Sequence, residues 1–134
     1  MVEELTIICP TFLTLSSKKG NKNIAINLNI YRNLHFAIEN KCKRMFKDEV
    51  KSQLLGIEIA TPVEVTYKVF KKSKRNLDKM NVVSIASKYL MDAITEFGCW
   101  EDDNDNIIKK EVILPTEIDK DNPRIEVFIK SILF

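Results

Sequence analysis

The chain has 134 residues, 45% hydrophobic and 30% charged, with a formal net charge of +2, which suits one domain with a real core and is too short for two comfortable ones. No apolar run approaches the ~18 residues of a membrane span, and Glu3 and Glu4 stand where a secretion signal would be cationic, so no membrane partner and a cytoplasmic protein are expected. A charge of +2 does not announce a nucleic-acid binder by itself, but four acids (Glu101, Asp102, Asp103 and Asp105) crowd into five residues and leave the rest of the surface more basic.

Leu5, Ile7 and Cys9 alternate with Thr6 and Ile8 before Pro10 and predict a first strand. Residues 14–24, polar and basic with Lys18, Lys19 and Gly20, read as a loop, either a solvated connector or a segment closing on an anionic ligand. Asn27 or Asn29 is a candidate N-cap for one amphipathic helix to about Leu54, with Leu28, Tyr31, His35, Ile38, Cys42 and Phe46 on its apolar face. Lys41, Lys43, Arg44 and Lys47 lie on its other face, able to approach phosphates or simply solvated. Gly56 ends it.

Ile57, Ile59, Val63, Val65, Tyr67 and Val69 alternate with polar residues as a strand, in which Pro62 predicts an edge position or a bulge. That strand runs into Lys71, Lys72, Lys74 and Arg75, which with Lys68 make five cations in eight residues. A second helix is predicted from Leu77 to Phe97, closed by Gly98. A strand around Ile108, Val112 and Leu114, stopped by Pro115, and a last strand from Ile125 to Ile129 complete the order β-α-β-α-β-β. The expected fold is α+β, a mixed sheet of about four strands with two main helices packed on it.

Cys9, Cys42 and Cys99 are odd in number and show no CxxC or Cys/His spacing, so buried free thiols are expected rather than disulfides or a zinc site. His35 is the only histidine, and packing on a helix is its expected role. On the second helix Asp78, Asn81, Lys88 and Asp92 share one polar stripe, a solvated face with a Lys88–Asp92 pair or a functional one. If the chain loops round the sheet edge, Asp78 and Asp103 could hold an oxygen-loving ion such as Mg²⁺. A calcium loop starting at Asp102 fails, because Ile107 and Ile113 occupy its glycine and closing-glutamate positions.

Three ordered segments carry a resemblance. Lys74-Arg75 leads into Asn76-Leu77-Asp78; then come Lys88-Tyr89-Leu90-Met91-Asp92-Ala93-Ile94 and Phe97-Gly98-Cys99-Trp100-Glu101-Asp102-Asp103. With a weaker likeness at Ile30-Tyr31-Arg32, they resemble the RusA family of Holliday-junction resolvases, small phage and prophage endonucleases, across a single domain of residues 1–134. The family's Asp-x-Asp-Asn motif is atypical here. In one register Asn76 replaces its first aspartate and Asp78 keeps the second; in the other Asp78 is the first, Met80 replaces the second and Asn81 is the asparagine.

The resemblance implies a cytoplasmic phage or prophage homodimer in a bacterial host that grips a four-way DNA junction and nicks two opposed strands with Mg²⁺, Mn²⁺ being expected to substitute. It implies Asp78, Asp103 and Lys88 as catalytic residues, with Asp78, Asp102 and Asp103 as metal ligands. Asn76, Asn81 and Asp92 are left without an assigned role. Lys71, Lys72, Lys74 and Arg75, with Lys18 and Lys19, would bind backbone phosphates without reading sequence. The alternative is a catalytically impaired module of the same fold that binds branched DNA or a protein. A third reading is an unrelated interaction domain whose acidic loop is only solvated.

Overall fold

The computed structural model describes residues 1–132. A mixed sheet has the order β1 (Glu4–Cys9), β7 (Arg124–Ser131), β4 (Val63–Lys71) and β5 (Ile108–Ile113), with the two-residue β6 (Glu117–Ile118) pairing to the far end of β4. β7 runs antiparallel to both β1 and β4, whereas β5 is parallel to β4. Two long helices, α2 (Phe36–Leu54) and α3 (Lys79–Glu96), pack together beside the sheet, so the α+β architecture expected from the sequence is what the chain adopts. Among the described residues no helix is long and apolar enough to cross a membrane.

The core follows from periodicity. Val63, Val65, Tyr67 and Val69 of β4 and Ile125, Val127 and Ile129 of β7 are buried on alternate positions, while α2 buries Cys42, Phe46, Val50 and Leu54 at three- and four-residue spacing. Nine of the 18 residues of α3 are buried, Val82 to Ile94, which makes it the more central helix. Tyr67 keeps its hydroxyl satisfied inside by donating to Ser87 Oγ at 2.7 Å. All three cysteines are free and buried, and loss of water pushes the Cys9 thiol up to about 12.

Four expectations are corrected. The segment read as a loop is a β-hairpin, β2 (Phe12–Ser17) with β3 (Gly20–Ala25); Leu13, Leu15 and Ile24 face the core and Gly20, at φ +110°, makes the turn. The predicted first helix is two pieces, α1 (Leu28–Tyr31) capped by Asn27, then α2 capped by His35. His35 therefore does not pack on a helix face: its Nδ1 accepts from the Ala37 amide at 3.2 Å. The break is physical, since Phe36 and Ile38 are exposed and the buried stripe of α2 begins only at Cys42.

The strand is shorter than its alternation suggested, and β4 lies inside the sheet between β7 and β5. Pro62 precedes its first residue, so the missing N–H costs no ladder bond, and a register shift does follow at Val63/Glu64. At the sheet's other margin β1 is guarded. The Gln53 side chain accepts from Ile8 N at 2.7 Å and donates to Ile8 O at 2.9 Å, and Val2 bonds Glu58 and Ala60 in the same outward direction.

Candidate nucleic-acid interface and acidic end

β4 delivers the basic run at one end of the sheet, where Lys71 is its last residue. Lys68 is taken up by Glu117 at 3.2 Å and lies over the Phe70 ring, 5.0 Å from its centroid. Lys71, Lys72, Lys74 and Arg75 form no ion pair among the described residues. The loop is tied to itself instead, with Lys71 Nζ donating to Arg75 O at 3.3 Å. Four uncompensated cations at a strand end give a positive potential suited to phosphates.

The hairpin root borders the same end. A cleft of about 340 Å³ opens there, lined among others by Phe12, Asn23, Asn27, Lys71, Lys72 and Leu77. Lys18 and Lys19 sit in the turn of the hairpin, exposed. Sequence reading missed Phe12, Asn23 and Asn27. The signal was present in the alternation of Leu13 and Leu15 on one side of Gly20 and Ile24 and Ile26 on the other, which turns the intervening residues to the opposite face.

Asp78 closes this end as the N-cap of α3, its Oδ1 accepting from Met80 N at 3.1 Å. The neighbouring Lys79 donates to Leu114 O at 3.2 Å and fixes the helix start beside the end of β5. Asn76 is exposed in the connecting loop, and Asn81 is half-buried in the first turn of α3.

The acidic run lies elsewhere. α3 has 18 residues, about 27 Å at 1.5 Å per residue, and β5 begins opposite Val63, at the opposite end of β4 from Lys71. Asp102 and Asp103 precede β5 closely, in a loop whose turn is closed by Ile107 and Ile108 amides on Asn104 O. The reading in which Asp78 and Asp103 of one chain share an ion is therefore corrected: helix length and parallel pairing hold them at opposite ends.

Asp103 meets a different acid. Loss of solvent, a hydrogen bond with Asp102, and the negative charges of Asp102 and Asp92 together raise its carboxyl above the ordinary range. The exposed Asp102 goes the other way, lowered mainly by the Asp103 amide, which donates to its Oδ1 at 2.8 Å. Asp92 acts on Asp103 through its charge, from the end of α3 that leads into this loop. It does not pair with Lys88, because Lys43 of α2 reaches it at 3.2 Å. Lys47 likewise engages Glu96, so two of the five cations on α2 bind α3 rather than facing phosphates or solvent alone. Lys88 points to a separate groove of about 320 Å³ with Tyr31, Arg32, Glu39 and Ser84.

These shifts predict a titration. In metal-free protein, carboxyl NMR should show Asp102 releasing its proton below, and Asp103 above, the usual aspartate range. The proton is held more tightly by folded than by unfolded Asp103, so its stabilising contribution is full at low pH and is lost as pH rises through its folded value. Asp92→Asn should move the Asp103 midpoint down; an unchanged midpoint would separate the two carboxylates.

Among the described residues no group of three or more His, Cys, Asp or Glu side chains is arranged to hold a metal ion. The donor chemistry of Asp102 and Asp103 still fits Mg²⁺, which takes one or two carboxylates and completes its shell with water and substrate phosphate. The chain matches no protein-family model and no curated protein.

Proposed function

We propose that the protein is a structure-selective endonuclease of the RusA type, acting on branched DNA as a two-fold homodimer. The observation that carries the reading is the placement of one motif set at the two ends of α3, Asp78 and the basic run at one, Asp92, Asp102 and Asp103 at the other. In a two-fold pair a patch i on one copy meets patch j on the other while j meets i, so two opposite ends of one chain become two complete sites. Each site would join Asp102 and Asp103 of one protomer to the partner's Asp78 and basic run.

Asp102, Asp103 and the partner's Asp78 would hold Mg²⁺, with Mn²⁺ substituting. The ion supplies an activated water and neutralises charge on the scissile phosphate. Lys71, Lys72, Lys74 and Arg75, with Lys18 and Lys19, would place the DNA backbone. Lys88, which the resemblance would set at the departing oxygen, lines the separate groove with Tyr31 and Glu39 and is given no part in the shared site.

A synthetic four-way junction labelled on each strand tests this. Wild type in Mg²⁺ should nick two opposed strands and leave a linear duplex intact. Binding without cutting in Mg²⁺ and Mn²⁺ would favour the second reading, a branched-DNA-binding module without catalysis, for which the use of Asp78 as a helix cap speaks.

A further inference from the structure

The cleft at the hairpin root has a composition that backbone binding alone does not require. Its walls are mostly apolar, yet Lys71 and Lys72 stand on it and Phe12, 46% exposed, lies along it. At about 340 Å³ it is near the small end of ligand clefts, roughly 300–1,000 Å³, and too small for a duplex. Phe70 also lines it but is committed, since the Arg124 guanidinium stacks 3.8 Å from its ring centroid. Phe12 has no such partner among the described residues. Thr14 Oγ1 donates to Asn23 Oδ1 at 2.8 Å, which assigns the acceptor of that amide and leaves Nδ2 as the donor group of a cleft-lining residue.

We infer that this cleft takes one unpaired nucleobase of a DNA strand, stacked on Phe12, with its flanking phosphates on Lys71 and Lys72. Charge selects the occupant: the cations beside an apolar slot complement a phosphodiester carrying an aromatic base, and Lys74 and Arg75 continue the same backbone track. A fully paired duplex keeps its bases stacked and offers none. The inference rests on the DNA-binding reading above and adds to it a preference for junctions with unpaired nucleotides at the branch.

The test uses the full chain and three DNA probes: a perfect duplex, a junction with one unpaired 2-aminopurine at its branch, and a single-stranded oligonucleotide carrying the same base. Phe12→Ala should weaken binding of both unpaired probes about tenfold, and change 2-aminopurine emission on binding far less than wild type, while duplex binding stays within twofold. Lys71→Ala should weaken all three. Equal losses on duplex and unpaired probes in Phe12→Ala, or none on either, would overturn the assignment. So would competition by a free mononucleotide as strong as that of the oligonucleotide, which would make the cleft a small-molecule site. Wild type that binds the single strand in this way but cuts no junction supports the cleft and removes the resolvase reading.

Discussion

Asp103→Asn is expected to lower junction cutting by about 10³-fold or more, the scale of losing several kcal/mol of charge stabilisation, while binding stays within about twofold. The substitution keeps size and leaves the Asp103 amide free to donate to Asp102 as before. Asp103 is exposed, so no core packing is disturbed. Asp78→Asn should also be inactive yet folded, because asparagine caps a helix about as well as aspartate. The decisive result is their mixture. In dimers whose sites are shared, a protomer carrying Asp78→Asn and one carrying Asp103→Asn place both defects in one site and leave the other intact, so mixing restores single-strand nicking. Sites confined to one protomer give no rescue, and that outcome would refute the shared arrangement.

Removing the charges of Lys71, Lys72, Lys74 and Arg75 together is expected to act on every DNA probe alike. Each phosphate contact contributes about 0.9 to the slope of log affinity against log salt, so the fourfold alanine variant should show a slope shallower by roughly three to four and an affinity lower by about 10³-fold or more at low salt. None of the four carries an ion pair among the described residues, so stability should hardly change. Lys68→Ala makes the contrast: it is already paired with Glu117 and should alter the slope little. A fourfold variant with an unchanged slope would take DNA away from this face.

Much of the fold was legible because periodicity and punctuation agreed. Val63 to Val69 alternate as β4 does, Gly98 stops α3 at φ +75°, and Pro115 ends β5. The hairpin was not, since its polar outer face and lysine-rich turn masked the short apolar alternation beneath. His35 fell at helical spacing from Tyr31 and Ile38, and only tertiary burial shows that the real stripe starts at Cys42. The cations and acids were visible as runs, but pairing across helices was not: Lys43 and Lys47 lie about fifty residues from Asp92 and Glu96. Above all, sequence order could not say that β5 restarts beside Val63, the single fact that separates Asp78 from Asp103.

The clasp of Gln53 on Ile8 bears on assembly. Outward-facing rungs of β1 recur at alternate residues, and those at Val2 and Ile8 are already occupied, leaving only Glu4 and Thr6 open between them. Two unoccupied rungs are a poor template for a neighbouring strand, so continuous sheet extension through β1, and the fibrous growth it invites, is closed off. At this margin a neighbouring molecule would meet side chains rather than an open ladder, while β5 forms the sheet's other edge.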